Sequence, residues 1–467
     1  MSSCYDLQTF GLGQDPYASH RAYDVVIVGA GVAGLRVGIE TLKRHKSLRC
    51  CILEKYNYVG GRVVTYHGKV EGVGDVQWEN GAGRISTIHR KVLRLMRRYG
   101  LTFRHTKGET KFISTRRGVF PPVMEPDQFY QLLHIYLSPL TKLSQEVLAS
   151  HTLEELLVKT LGEEKAREFY IQFPYFAEIH VMRADLALRA FEEEMGTNEG
   201  FGVCVEGYQA IPLKMREEFL SLGGEILMNM DVTGVAKGEG EKGGDWTEVH
   251  AVETLCDGQK VERVFLGTTV VLALHARGMR GIAGVKQLPV LSHLEQPFLV
   301  RMYAVFPKGA DGKVWFHDLP KIVTDSPLRF VIPYDKEKGI IMISYTEGDD
   351  AMYWMMMNMA TPQKVEKAVL KKTRRLFPDR DIPAPLFFKM HPWTDGCTYW
   401  TPGAYDVEKE SRQSLHPLSE TIPGLFVCGE SFSLRQSWVE GALEQADALL
   451  GLEAFQRRLQ GTHRVPR

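Results

Sequence analysis
The sequence predicts an α/β fold: a doubly wound, Rossmann-like lobe assembled from separated segments, interleaved with an α+β lobe that holds a mixed sheet and a helical part. Three observations predict it. YDVVIV (23–28), GAGVAG (29–34) and LRVGIETLKRH (35–45) read as a buried strand, a glycine turn and a helix. RCCILE (49–54) is a second buried strand pattern and closes a βαβ unit. GLFVCGE (424–430), a strand ending in a turn, precedes helical WVEGALEQADALLGLEAF (438–455), so strand-to-helix turns open and close the chain. At 467 residues the chain exceeds the size at which one core keeps growing, and two or more lobes are expected.

In chain order, residues 1–22 are rich in Gly, Ser, Pro and polar groups and read as an irregular lead-in. After the βαβ unit comes a basic stretch in which Arg90, Lys91, Arg94, Arg97 and Arg98 alternate with Val92, Leu95 and Met96 at helical spacing. This is a solvated helix face; a nucleic-acid surface is the sharper reading, and net neutrality argues against it. Residues 121–200 are mainly helical, interrupted by Pro121, Pro122, Pro126, Pro139 and Pro174. Residues 206–235 read as helix, Gly-Gly turn and strand, 237–245 as a polar hairpin tip, and 261–274 as another buried strand. From 290 to 400 short strands (FLVRMYAVF, RFVIPY, GIIMISY) alternate, with one helix near 361–377.

Lys plus Arg equal Asp plus Glu at 57 each, which removes any global electrostatic case for nucleic acid or an anionic membrane as partner. A small-molecule site is expected instead. The seven cysteines, at 4, 50, 51, 204, 256, 397 and 428, show neither a CxxC pair nor zinc spacing, so no metal site is expected. The N-terminus lacks the basic start and apolar run of a signal peptide, and no apolar stretch is long enough to span a membrane. A soluble, intracellular protein, cytoplasmic in the simplest case, is the expectation. A homodimer is compatible with the sequence.

The glycine turn carries chemistry. Gly29 suits the tight turn, Gly31 lets backbone approach a diphosphate, and Gly34 lets the helix pack closely on the strand. The helix N-terminus then presents free N–H groups to an anion. Glu54 ends the next strand, 20 residues beyond Gly34, where a carboxylate accepts both hydroxyl hydrogens of an adenosine ribose. In YVGGRVVTYHG (58–68) Gly60 and Gly61 make a second turn, and Arg62 follows with a charged fork for the diphosphate.

With these motifs, with ENGAGRI (79–85), the Val232 strand, Trp393 and GLFVCGE followed by SWVEGALEQADAL, the chain resembles the flavin-containing amine oxidase superfamily, which includes monoamine, polyamine and L-amino acid oxidases. The resemblance implies noncovalent FAD. It divides the chain into an FAD-binding domain in three parts, 23–85, 203–288 and 411–467, alternating with a helical substrate domain, 86–202, and its sheet, 289–410. It implies that Glu54 binds the ribose, Arg62 the diphosphate and Val232 the adenine through its backbone, with Glu430, after Gly429, holding the ribityl chain or diphosphate. Gly81, Ala82 and Gly83 would pass near the flavin, and Trp393 would pack beside it. The turn from Ser437 to Ala442, with Trp438 and Val439, would meet the flavin pyrimidine, where a helix N-terminus complements negative charge on reduced flavin. Trp438 reads as a pocket wall or as a core tryptophan.

In HPWTDGCTYWTPGAYD (391–406) Cys397 stands only four residues after Trp393, earlier than the position at which monoamine oxidases bond their flavin, which is why noncovalent FAD is expected. Trp400 and Tyr405 are candidate cavity residues, with ordinary packing equally open. Arg301 stands where the family tends to place a lysine that holds a water near flavin N5, a nonconservative exchange that bears on the reaction with oxygen. L-amino acid oxidases carry an arginine at the place of Arg84, where it pairs with the substrate carboxylate. The competing reading of Arg84 is a salt bridge with Glu79 or with cofactor phosphates. SYTEGDDAMYW (344–354) also resembles a segment of the amino acid oxidases, whereas their carboxylate-binding tyrosine has only a displaced counterpart, Tyr334.

The implied activity is oxidation of an L-amino acid to an imine by hydride transfer to flavin, with dioxygen giving hydrogen peroxide. Alternatives are a monoamine or polyamine oxidase, a flavin desaturase or isomerase, and a noncatalytic FAD-binding scaffold using the basic helix. The candidate catalytic residues are Arg84, Arg301, Trp400 and Trp438.

Overall fold
The structure, a computed structural model, describes residues 20–106, 110–114, 118–119, 126–195, 200–238 and 246–461. The first 19 residues of the predicted lead-in, Pro121, Pro122 and residues 239–245 of the predicted hairpin tip lie outside the described residues.

The first predicted unit forms as β1 (His20–Val28), α1 (Val32–Arg44) and β2 (Cys50–Leu53). β1 starts three residues before the predicted Tyr23, which corrects the end of the lead-in. The reason is its partner: β1 pairs in parallel with the 13-residue strand Lys260–Leu272, from His20 opposite Val264 to Val28 opposite Leu272. Backbone pairing carries His20, Arg21 and Ala22 into the sheet, and an apolar pattern cannot show that.

The sheet runs Glu225–Leu227, β2, β1, Lys260–Leu272, Thr247–Thr254, Met230–Lys237. The strand Leu425–Val427 pairs in parallel with the C-terminal end of Lys260–Leu272, at residues 270–272, beyond the part taken by Thr247–Thr254. Segments from the start, middle and end of the chain therefore converge on one sheet. Side chains of β1 alternate between two cores: Val26 and Val28 on one side, Val25 and Ile27 on the other. Both faces are covered, as a parallel sheet requires. α1 packs between the helices Val439–Gly451 and Ala210–Ser221. A Cβ at Gly38 would stand 2.7 Å from the Phe219 ring, so helix contact is at backbone distance.

The second large sheet has the order Phe387–Trp393, Leu299–Val305, Ile340–Glu347, Phe330–Asp335, Lys321–Thr324, Thr110–Ser114, Gly118–Val119. It is mixed: Lys321–Thr324 runs parallel to Thr110–Ser114, and the other pairs are antiparallel. The helices from Pro126–Leu137 to Ala184–Ala190 stand beside it. Two details differ from expectation. The C-terminal helix is two helices, Val439–Gly451 and Glu453–Gln460, broken at extended Leu452. Gly348–Ala360 is a helix that alternating strands did not anticipate; its start, Gly-Asp-Asp, places two acids in the first turn, where the helix dipole favours them. Among the described residues no helix is long and apolar enough to cross a membrane, and no acid, His or Cys cluster could hold a metal ion.

Candidate active site
The three glycines of the first turn answer different demands. Gly29 holds φ +104°, and a Cβ there would lie 2.7 Å from the Ala273 carbonyl oxygen. At Gly34 a Cβ would fall 2.1 Å from the Gly29 oxygen. At Gly31 it would meet nothing within 4 Å, so the middle glycine faces open room at the start of α1. That helix has no side-chain cap and no acid in its first turn, leaving its N–H groups and positive dipole end for an anion. Glu54 is buried, with one carboxylate oxygen accepting from Ala30 N at 2.8 Å and the other from Tyr56 N at 3.0 Å. Burial raises its pKa and these N–H bonds oppose the rise.

The second glycine turn lies directly against the first. Gly60 and Gly61 hold φ +116° and +60°, Gly60 N donates to Ala30 O at 2.9 Å, and Gly31 bridges to Gly60. Arg62 leaves this turn to donate from Nη2 to the Glu430 carboxylate and from Nη1 to the Gly396 carbonyl, both at 2.7 Å. The other oxygen of Glu430 accepts from Ser437 N at 2.7 Å and Thr398 N at 3.2 Å. Two residues expected to act separately on the cofactor are thus one ion pair. Glu430 thus accepts from protein donors on both oxygens and positions Arg62 and the Ser437 turn. Gly429, at φ +138°, starts this bend. Val232 is buried, paired with Ala251, and followed by a bulge before Gly234 on the strand at the sheet edge.

ENGAGRI follows β3 (Thr65–Val70) and β4 (Gly74–Glu79), an antiparallel hairpin. Ala82 N donates to Arg62 O, and Trp393 donates from Nε1 to Asn80 O, each at 2.9 Å. A Cβ on Gly81 would lie 2.0 Å from Arg62 O and 3.3 Å from the Trp393 ring, so this glycine lets the turn wedge between them. The Glu79 carboxylate accepts from Thr65 Oγ1 at 2.8 Å and Tyr208 N at 2.9 Å. Arg301 donates to the Glu79 carbonyl at 3.3 Å, its guanidinium lies 5.2 Å from the Tyr345 ring centre, and its Nη1 would be 3.0 Å from a Cβ on Gly83. Arg301 therefore braces the back of the turn, and its buried Nε keeps one donor without a hydrogen-bond partner.

Burial pushes the Glu79 carboxyl up to about 7, against the pull of its two donors and Arg301. A carboxyl whose folded pKa lies above its unfolded one favours the folded state at low pH and loses that contribution as pH rises from about 4.5 through about 7. The contribution is on the order of 3 kcal/mol. The thermal midpoint should fall over that interval, and Glu79→Gln should flatten the fall; parallel curves for the two proteins would count against this account.

Arg84 is exposed, with its guanidinium 5.2 Å from the Phe201 ring centre and 6.0 Å from that of Trp438. Trp438 and Phe201 stack at 5.9 Å, and His89 meets Trp438 edge-on at 4.7 Å. Trp438 caps the helix that opens with Val439, directly after Ser437 at φ +70°, a region costly for a residue with a side chain and frequent at functional sites. Val439 is packed in the core, and Ala442 is partly buried against it. Phe201 carried no signal in the sequence, since it reaches this place only through a short strand, Phe201–Cys204, paired with Ile85–Ser86.

A cavity lies between the helical part and the Ser437 turn, lined by Glu178, Met182, Tyr399, Gln436, Ser437 and Trp438. Tyr345 donates from its hydroxyl to Glu347 at 2.5 Å, and Ala177 N donates to the same carboxylate at 3.5 Å. Burial raises the Glu347 carboxyl, while Arg84 and Arg301 pull it down. Tyr345 and Cys397 are half-buried. Tyr399 donates to Glu178 at 3.4 Å. Burial, then Glu430, pushes the Cys397 thiol up to about 12.

Two candidates, Trp400 and Tyr405, are held in side-chain packing. Trp400 is 0% exposed, and its indole N–H donates to Ser433 O at 3.0 Å. Tyr405 stacks on His293 at 4.0 Å and hydrogen-bonds Thr401 O. Both belong to packing. Tyr334 packs edge-on against Tyr303, behind the turn.

A family model described as flavin containing amine oxidoreductase matches residues 33–448. Aplysianin-A of Aplysia kurodai is 24% identical over 513 aligned positions, covering 91% of this chain and 89% of that protein. A flavin-containing amine oxidase of Danio rerio is 25% identical over 173 positions, about a third of each chain. Among solved structures, a putrescine oxidase variant from a redesign of cofactor binding superposes with TM-score 0.70 over 94% of this chain and all of that one, at 17% identity. This last likeness is one of fold.

Proposed function
Because the chain belongs to the family of flavin containing amine oxidoreductases, we propose that it is an FAD-dependent oxidase of L-amino acids in which Arg84 pairs with the substrate carboxylate. FAD is the cofactor, and the residues present fit it: open room at Gly31, an uncapped helix N-terminus, a buried acid at Glu54 and the Arg62 fork. When bound, FAD would supply the acceptor for a hydride from the carbon bearing the amino group and the route by which two electrons reach dioxygen as hydrogen peroxide.

This chain's own residues bind and orient. Arg84 offers a planar, permanently charged fork in front of Phe201 and Trp438, and a bidentate guanidinium suits a carboxylate better than any other side chain. Phe201, Trp438, Tyr345 and Tyr399 supply apolar walls that keep water from the reacting carbon. Arg301 and Trp393 hold the ENGAGRI turn from behind. The single observation that carries the substrate reading is the exposed Arg84 on this turn.

A di- or polyamine substrate is a second reading, favoured by Glu178, a carboxylate lining the cavity beside Trp438 that suits an additional ammonium. Anaerobic mixing of the holoprotein with paired substrates separates the two. An L-amino acid should bleach the flavin at least about tenfold faster than the amine made by its decarboxylation, as one lost charge-assisted contact implies. Equal rates, or bleaching by a diamine alone, would sink the amino acid reading. FAD is held noncovalently, since the Cys397 thiol is kept neutral. Acid precipitation should leave all flavin in the supernatant; flavin in the pellet would overturn this.

A further inference from the structure
We propose that His89 is a positioning residue of the substrate site, whose ring N–H holds the Trp438 indole in the orientation in which it backs Arg84. The inference rests on the reading of Arg84 just given. His89 stands at the N-cap of the helix Arg90–Arg98 and is 0% exposed. Ser86 N donates to its Nδ1 at 3.1 Å, and its own N donates to Ser86 O at 3.0 Å, so the turn 86–89 fixes the ring. An Nδ1 that accepts leaves the imidazole proton on Nε2. Burial, then the charge of Arg435, pulls the ring down to about 3, so the neutral tautomer persists. That Nε2 is buried and has no hydrogen-bond partner among the described residues, yet the ring meets Trp438 edge-on, with 4.7 Å between centres and 61° between planes. An edge-on ring that turns an N–H to an indole face makes an attractive contact, because the hydrogen meets the negative side of the π system.

The backbone around Trp438 is fixed from elsewhere. Glu430 accepts from Ser437 N at 2.7 Å. Glu440, in the first turn of Val439–Gly451, accepts from Lys91 N and Val92 N, both at 2.9 Å, and so caps the helix Arg90–Arg98, which has no acid of its own in its first turn. The two helix starts are thereby locked in register, and the costly φ of +70° at Ser437 is held by contacts on either side of it. These contacts fix where Trp438 begins, and none of them acts on the plane of its indole. His89 and Phe201 do. The Phe201 ring lies nearly parallel to the indole, with 13° between planes, and the Arg84 guanidinium rests near both rings. A tilt of the indole therefore moves the surface under the guanidinium, and His89 acts on the carboxylate site without touching substrate.

Calorimetric binding of butyrate, a nonreacting carboxylate, to the holoprotein tests this. His89→Asn keeps an acceptor for Ser86 N and removes the N–H that meets Trp438, and it should weaken butyrate about fivefold. His89→Gln carries an amide N–H to the place of Nε2 and should bind butyrate within about twofold of the unmodified protein. In a Trp438→Leu background, which lacks the π face, adding His89→Asn should change the affinity by less than about twofold, because both residues act through one contact. Unweakened binding in His89→Asn, or a loss that recurs in full beside Trp438→Leu, overturns the proposal whatever happens to the thermal midpoint. Where His89→Asn does not fold, His89→Gln decides: affinity near that of the unmodified protein supports the role, and a loss of about fivefold or more overturns it. If Arg84→Ala removes butyrate binding and His89→Asn leaves it intact, the role of His89 falls alone. If Arg84→Ala leaves butyrate binding unchanged, the reading of Arg84 falls and takes this inference with it.

Discussion
Arg84→Ala should lower kcat/KM for an L-amino acid by about two orders of magnitude and leave that for the decarboxylated amine within about threefold, as loss of a charge-assisted bidentate contact requires. The selectivity of the result follows from position. Arg84 is exposed and rests its guanidinium against Phe201 and Trp438, so truncation removes a charge without opening a core cavity. Arg84→Lys should recover part of the loss, since it keeps the charge and gives up the planar fork. Steady-state rates with matched substrate pairs check this. An equal fall for the amine would show instead that Arg84 holds the Phe201–Trp438 stack in place.

Gly34→Ala should cost about 2–4 kcal/mol of stability and nearly all FAD, because overpacking against backbone cannot relax through a side-chain rotamer. Its Cβ would sit 2.1 Å from the Gly29 oxygen and 3.2 Å from both Ala273 Cβ and Ile27 Cγ2, so α1 must lift off β1 and carry the anion-facing N–H groups with it. Gly31→Ala is the internal comparison. Its Cβ enters open room, so the apoprotein should melt as the unmodified one does while FAD affinity drops. Thermal midpoints of the apoproteins, together with flavin content after purification, separate the two effects. A Gly34→Ala protein with unchanged midpoint and full flavin would contradict the packing account.

Much of the cofactor side was legible because its signals are local. A glycine that must hold a positive φ, a helix start without a side-chain cap and an acid at a strand end all lie within about one βαβ unit, where spacing along the chain sets spacing in space. Long-range pairings were not legible. Nothing local shows that Arg62 and Glu430 neutralise each other across 368 residues, or that Glu430 thereby becomes a positioning group. Aromatic residues misled in the same way. Trp400 and Phe201 carry equivalent signals as isolated letters, yet one is sealed against Ser433 and the other lies beneath Arg84.

By itself, then, the sequence determined the strand–turn–helix unit, the second glycine turn with its arginine, and the arginine after Gly83, because each rests on backbone constraints over a few residues. Tertiary structure alone decided what surrounds Arg84. Phe201 comes from the short strand paired with Ile85–Ser86, Tyr345 and Glu347 from the mixed sheet, and their placement around Arg84 depends on how those elements stack, where burial and charge act through space and not along the chain.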